Sequence, residues 1–163
     1  MSEQAVNSFE RTLLAKLTAG DHPVLAQLRT QLELVRVRQR TVSDFGLKTE
    51  FELPLGTPPV EPSCFSLSDI AFSVVYGWAH SVSSWGPPNE GEPGSASLLV
   101  ENGLLARLEA NLVFQLWPVE EVPRGSAKHQ IDPAFAAGPD YVDEHGHLLT
   151  QRDVHRISSI LAT

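Results

Sequence analysis

Leu98-Leu99-Val100-Glu101-Asn102-Gly103-Leu104-Leu105-Ala106-Arg107-Leu108 is the stretch of sequence that decides the fold. Two apolar segments flank the dipeptide Asn102-Gly103, in which both residues tolerate a positive φ, and this arrangement is the strongest short-range signal for a β-hairpin. The sequence therefore predicts two antiparallel strands, residues 96–100 and 104–108, joined by a tight turn. We expect an antiparallel sheet to be built around this hairpin.

A second hairpin is predicted nearer the N-terminus. Residues 34–41 and 47–53 alternate between charged side chains and apolar or neutral ones, and a period of two is typical of half-buried strands. A turn near Asp44 would join them. In that register two arginines face two glutamates across the strands, namely Arg38 opposite Glu50 and Arg36 opposite Glu52. Opposite charges at such positions contribute roughly 0.2–1 kcal/mol per pair.

Helical periodicity marks both ends of the chain. An apolar stripe within residues 6–17 indicates a helix that ends near Gly20. Asp21 then begins a second helix, since its side chain can accept hydrogen bonds from the free N–H groups of the first turn. At the other end, residues 154–161 predict a closing helix that begins at a capping box in residues 150–153.

Further strands are predicted on both sides of the central hairpin. Residues 66–76 and 111–117 have apolar side chains at alternate positions, and a small hairpin lies within residues 141–149. Residues 119–140 contain prolines at irregular intervals, and we predict an extended segment there whose order depends on tertiary contacts. The sequence as a whole predicts one domain, residues 1–163, of the α+β class. Its parts are an N-terminal helical hairpin, an antiparallel sheet of five or six strands, and a C-terminal helix.

The charge balance narrows the classes of partner. The chain has 163 residues with 12 Lys and Arg against 20 Asp and Glu, so its formal net charge is −8. Proteins that follow nucleic-acid phosphates place an excess of Lys and Arg along their groove, and this sequence therefore predicts no nucleic-acid partner. Its apolar stretches are shorter than the roughly 20 residues that span a bilayer, and we expect no membrane partner.

The expected compartment follows from cysteine usage and from the first residues. A single cysteine, Cys64, excludes an intramolecular disulfide framework, and we expect it to be a small buried apolar residue. Charged side chains interrupt the apolar stretch that a secretory signal would need at the N-terminus, namely Glu3, Glu10, Arg11 and Lys16. We therefore expect a cytoplasmic protein.

The negative charge is unevenly distributed along the chain. Residues 1–60 hold seven basic and seven acidic residues, so the whole surplus lies in residues 61–163. Acidic side chains cluster in three predicted loops, around residues 90–92, 120–121 and 140–144, and an aromatic residue lies at the edge of the first loop, which is rich in Pro and Gly. The candidate partner-binding residues are Trp85, Glu90, Glu92, Glu120, Glu121, Asp143 and Glu144. Because complementary charge speeds encounter, they predict a basic protein partner; the other interpretation of the same clusters is solubility.

Two histidines are candidate metal ligands. His145 and His147 would point to the same side of a strand and could hold Zn²⁺ together with Asp143 or His155. Gly146 lies between them and indicates a turn, so exposed turn histidines are the favoured interpretation. The sequence does not predict a metal site.

The sequence predicts no catalytic residue and no cofactor. Neither a G-x-S-x-G elbow nor a glycine-rich phosphate loop is present. The alternative function is a small-molecule binding protein or an enzyme with a pocket between sheet and helices. In that case His80 or His129 would lie beside carboxylates in a polar cavity.

The central hairpin, residues 97–110, followed by Trp117-Pro118, resembles a hairpin that recurs in small uncharacterised bacterial proteins. The resemblance covers residues 9–118 and implies an N-terminal helical pair followed by an antiparallel sheet. Such proteins are similar in size and acidic charge to immunity proteins of bacterial toxin systems, and this analogy implies a basic toxin as the partner. The shared motifs are structural and transfer no catalytic residue.

Overall fold

The computed structural model describes residues 5–43, 46–75, 92–112 and 134–162. Within these ranges the chain forms three helices and seven strands. The helices are α1 (Ser8–Leu17), α2 (Pro23–Leu32) and α3 (Val154–Leu161). The strands are β1 (Arg36–Ser43), β2 (Gly46–Glu52), β3 (Phe65–Val75), β4 (Glu92–Glu101), β5 (Leu104–Leu112), β6 (Ala134–Val142) and β7 (Leu148–Leu149).

All of these strands belong to one sheet with the order β1-β2-β5-β4-β3-β6-β7, and every neighbouring pair is antiparallel. The α+β prediction is therefore confirmed, with two helices before the sheet and one after it. The strand count in the described residues is seven, which is higher than the five or six predicted.

The central hairpin has the predicted turn. Asn102 and Gly103 have φ values of 55° and 76°, as a two-residue hairpin turn requires. Both strands extend beyond the predicted limits, because β4 begins at Glu92 and β5 ends at Leu112. A Cβ atom on Gly103 would lie 2.5 Å from the Cβ of Pro59, so the close packing of the β2–β3 loop against this turn also requires glycine there.

The first hairpin has the predicted charge pairing with one irregularity. Arg36 lies opposite Glu52, as predicted. The register shifts between Val37 and Gln39, so Arg38 is an extra residue and Gln39 takes the position opposite Glu50. Arg38 still reaches that carboxylate, with Nη2 3.1 Å from Oε2.

β6 begins at Ala134, inside residues 119–140, for which the sequence predicts an extended segment. Its last residues, Tyr141 and Val142, belong to the small hairpin that the sequence predicts within residues 141–149. β7 pairs only with Tyr141 and Val142 of β6, so within the described residues Pro139 lies at an edge of the sheet, where the missing backbone N–H is tolerated. The register against β3 also shifts near Ala137.

The helices cover one face of the sheet. α1 contacts β3, β4 and β6, α2 contacts β5, and α3 contacts β3. Apolar side chains from both layers fill the space between them, and the fully buried ones include Leu13, Leu17, Leu67, Leu98 and Leu108. Among the described residues, no helix is long and apolar enough to cross a membrane.

Two helix caps differ from the predictions. His22, not Asp21, is the N-cap of α2, and its Nδ1 accepts a hydrogen bond from the N–H of Val24 at 3.2 Å. α3 begins at Asp153, which accepts from the N–H of Arg156, so the capping box predicted in residues 150–153 is wrong.

Candidate functional site

A cleft opens where β2 and β5 separate. The two strands pair from Gly46 opposite Asn111 to Glu50 opposite Arg107, and the pairing ends there. Beyond this point β2 continues beside β1, and β5 continues beside β4. The resulting cavity has a volume of about 250 Å³, and we call it the β2–β5 cleft. Its lining residues are Arg38, Glu50, Phe51, Leu53, Glu101, Asn102, Leu104, Leu105, Ala106 and Arg107.

Gln31 of α2 closes the gap between the strands on the helix side. Its Oε1 accepts a hydrogen bond from the N–H of Leu105 at 2.9 Å, a group that β2 no longer faces. Its Nε2 donates to the carbonyl oxygens of Pro58 and Gly103 at 3.0 and 2.9 Å. Gln31 is 2% exposed with both ends of its amide satisfied, so it fixes the position of the diverging strand.

Charged groups meet at the narrow end of the cleft. The carboxylate of Glu50 lies 3.1 Å from Arg38 Nη2 and 3.8 Å from Lys48 Nζ. In the ladder, Glu50 also lies opposite Arg107. Two cationic side chains therefore pair with this carboxylate and a third lies opposite it in the ladder, on the sheet face opposite the helices.

Arg107 is incompletely partnered. Its Nε lies 2.9 Å from Glu109 Oε1, which makes an ion pair. The angle of that contact does not make a hydrogen bond, and the buried Nε has no hydrogen-bond partner among the described residues. A guanidinium has five N–H donors in a planar fork. Arg107 lines the cleft, and its guanidinium donates no hydrogen bond to any of the described residues.

The β6–β7 turn is the second candidate surface, and it includes two of the predicted partner-binding residues. Asp143 Oδ1 accepts hydrogen bonds from the backbone N–H groups of His145 and His147 at 2.8 and 2.9 Å. The backbone hydrogen bond from His147 is the largest of the effects that lower the pKa of Asp143, and the bond from His145 acts in the same direction. Asp143 therefore orders the turn, whereas the Glu144 side chain is 77% exposed.

The two histidines of this turn do not form a metal site with a third ligand in the described residues. The ring centroids of His145 and His147 lie 6.1 Å apart. His147 Nδ1 is 3.1 Å from Asp143 Oδ2, and His145 Nε2 is 3.5 Å from Glu144 Oε1. Across the described ranges, no group of three or more metal-ligating side chains occurs.

The structure does not bring the described partner-binding candidates together. Glu92 begins β4 opposite Val74, whereas Asp143 follows the part of β6 that pairs with Ile70. These positions are separated by about six residues along the strand direction, or roughly 20 Å. The remaining candidates lie outside the described residues: Trp85, Glu90, Glu120 and Glu121. His80 and His129, which the alternative function invokes, also lie outside them.

Sequence reasoning missed a buried ionic network at the start of α1. Glu10 is fully buried and receives two hydrogen bonds of 2.7 Å from the guanidinium of Arg40. The hydroxyl of Thr49 donates a third bond to Oε1 at 2.6 Å. Glu10 also accepts from the N–H of Asn7 in a reciprocal capping box, and the spacing of these two residues was the available sequence signal.

Tyr141 anchors β6 to the C-terminal end of α1. Its hydroxyl donates to the carbonyl oxygen of Lys16 at 2.9 Å, and the ammonium of Lys16 lies 4.3 Å from the centre of its ring. Burial raises the pKa of Tyr141, and the nearby guanidinium of Arg152 opposes that shift.

Cys64 is an exposed free cysteine, so the expectation that it is buried is wrong.

Neither the protein-family models, nor the curated proteins, nor the solved structures include a match to the chain. The grounds for a function are therefore its charge, its fold and the geometry of the two candidate surfaces. Of these, the β6–β7 turn relates directly to the predicted basic partner.

Proposed function

We propose that the protein is a cytoplasmic interaction domain that binds a basic protein partner, and that it acts as an immunity protein against a basic toxin. The observation that supports this proposal is a difference between basic and acidic side chains in how many have partners within the described residues. Each Lys and Arg of the described residues has an interaction within the chain, whether with a carboxylate, a backbone carbonyl, a ring or another group. Examples are Arg40, Arg152, Arg29 and Lys16.

Many carboxylates lack such internal partners. Several are exposed and have no hydrogen bond or ion pair within the described residues, namely Asp21, Glu33, Glu61, Glu101 and Asp140. Glu144 has only the long contact to His145 and is largely exposed. Within the described residues the basic side chains thus have partners inside the chain, while several carboxylates face solvent without one, and such a surface attracts a basic protein.

The β6–β7 turn suits a contact surface because it is ordered before binding. Asp143 holds the turn through backbone hydrogen bonds, so Glu144 projects from a fixed backbone at the edge of the sheet. A preordered contact loses less conformational entropy on association than a flexible one. The described part of the chain offers no comparable support for the alternative function, since apolar side chains fill the layer between sheet and helices.

Affinity capture from a lysate of the source organism tests the proposal. At low salt we expect the immobilised protein to retain a protein of basic sequence, and at high salt we expect to lose it, because exposed charges are screened beyond roughly 10 Å at 0.1 M. The Glu144→Lys variant should retain less of it, whereas Glu33→Lys, which changes an exposed carboxylate at the end of α2, should not. Capture that neither salt nor Glu144→Lys reduces contradicts an electrostatic contact at this turn.

The immunity role has its own test. The captured basic protein is expressed alone and together with this chain, and growth of the host is measured. We expect growth arrest in the first case and normal growth in the second. A captured partner that is harmless when expressed alone contradicts the immunity role and leaves the interaction itself intact.

A further inference from the structure

We propose that the β2–β5 cleft binds the C-terminal end of an extended peptide, with the terminal carboxylate on Arg107 and an apolar last side chain between Leu53 and Leu104. This inference goes beyond the proposed function and does not rest on it. It follows from the separation of the two strands, from the donors of Arg107 and from the size and lining of the cleft.

A carboxylate fits the donors at the narrow end of the cleft. Within the described residues Arg107 has an ion-pair contact with Glu109 but donates no hydrogen bond. Guanidinium and carboxylate groups match as a fork of two parallel N–H···O bonds, which are stronger than bonds between neutral groups. Arg38 lines the same cleft but is paired with Glu50 at 3.1 Å, so Arg107 is the group that would receive the carboxylate.

The strand edges and apolar side chains that line the cleft suit an extended peptide. β2 and β5 stop pairing at Glu50 and Arg107, so their continuing edges face each other across the cleft without ladder bonds between them. The N–H of Leu105 on the β5 edge is already bonded to Gln31, so an extended peptide would form main-chain hydrogen bonds to the remaining edge groups, with side chains placed in adjoining pockets. The apolar lining of Phe51, Leu53 and Leu104 provides one such pocket.

The size of the cleft favours the end of a chain over a cofactor or a larger ligand. Its volume of about 250 Å³ lies below the roughly 300–1,000 Å³ that is usual for small-molecule sites. Glu101 lines the cleft, and its exposed carboxylate has no partner among the described residues. Its charge disfavours an acidic residue upstream of the terminus, so the expected peptide is neutral or basic before its last residue.

Calorimetric titration with short peptides tests the proposal. The probes are four acetylated tripeptides, each with two glycines followed by Leu, Ile, Val or Phe, and each prepared with a free C-terminal carboxylate and as the C-terminal amide. We expect at least one acid peptide to bind at millimolar concentration or below, with its amide weaker by about tenfold or more. Absence of binding by all four acids, or equal binding of acid and amide, overturns the proposal.

Variants of the same full-length chain identify the residue. Arg107→Gln should weaken the acid peptide by about tenfold or more, and Arg107→Lys should give an intermediate loss, because it keeps the charge but not the planar fork. Arg11→Gln is the matched control, since it removes an exposed positive charge on α1, remote from the cleft residues. Circular dichroism establishes that each variant is folded. Equal weakening by Arg107→Gln and Arg11→Gln would show a general charge effect and overturn the assignment.

Discussion

Arg152 and Asp69, 83 positions apart in the sequence, are joined by two hydrogen bonds of 2.8 Å between guanidinium and carboxylate. Asp69 lies at an irregularity of β3 between Leu67 and Ile70, where the register shift turns an acidic side chain toward the helices. Arg152 also donates to the carbonyl oxygens of Ala19 and Leu17, at 2.7 and 2.8 Å. One buried guanidinium therefore connects the sheet, the end of α1 and the segment that leads into α3.

The buried pair should be far more sensitive to substitution than an exposed one. Asp69 and Arg152 have side-chain exposures of 2% and 9%. We expect Asp69→Ala to lower the free energy of unfolding by about 3–5 kcal/mol, because it leaves Arg152 buried without its counter-charge. The control is Arg38→Ala, which breaks an exposed pair and should cost about 1 kcal/mol or less. Urea denaturation measures both, and equal losses would contradict the structural role of Asp69.

Charge reversal at Glu50 should destabilise the protein more than charge reversal at Glu52. Glu50 lies near Arg38 and Lys48, whereas Glu52 is exposed and lies opposite Arg36 alone. We expect Glu50→Lys to lower the free energy of unfolding by about 1 kcal/mol and Glu52→Lys to lower it by a few tenths of a kcal/mol. Like charges that face each other across strands repel. Added salt should reduce the cost at Glu50. Equal losses for the two substitutions would show that the ion pairs of Glu50 with Arg38 and Lys48 contribute little to stability.

Gln31→Leu should lower the free energy of unfolding, because Gln31 connects α2 to the central hairpin. The substitution leaves the N–H of Leu105 without its partner, whereas the carbonyl of Gly103 keeps its bond from Val60, and an unsatisfied buried group costs about 1–3 kcal/mol. Gln27→Leu, at an exposed position of the same helix, is the matched control and should change stability little. Hydrogen exchange of the Leu105 amide should accelerate only in Gln31→Leu. An unchanged exchange rate would argue against the role of Gln31.

Stability should depend on Asp143 in acid. The backbone hydrogen bonds from His147 and His145 lower the pKa of Asp143 below the ordinary aspartate value of 3.8, so the ionised form favours the folded state. A carboxyl group with a lowered folded-state pKa contributes stability above its unfolded pKa, and that contribution disappears as the pH falls through the folded value. Wild type should therefore exceed Asp143→Asn in stability at neutral pH, and the difference should shrink below pH 3.8. A difference that stays constant from neutral pH into acid would contradict this assignment.

The two hairpins could be predicted because their information is local. Asn102-Gly103 fixes a turn through its own backbone preferences, and the alternation in β1 and β2 fixes which side chains share a face. The ion pair of Arg38 with Glu50 follows from that register even though a one-residue irregularity intervenes. A turn type and a period of two are properties of a few consecutive residues.

The β2–β5 cleft could not be predicted from the sequence. It exists because pairing between two strands far apart in the chain ends at Glu50 and Arg107, and because Gln31 from a helix satisfies the N–H that is released. No local sequence pattern indicates at which residue the pairing of two distant strands ends. The acidic turn was identified from its composition, but the role of Asp143 in ordering it depends on the hydrogen bonds it accepts.

The sequence by itself determined the α+β class, the helical ends, the central hairpin and the uneven negative charge, because periodicity, turn preference and composition are local or additive properties. Only the tertiary structure decided the strand order, the inclusion of Pro139 in β6 and the burial of Glu10 and Asp69 with their arginines. Those outcomes depend on which distant groups satisfy one another once water is excluded. A buried charge is tolerated only beside a partner that the fold supplies.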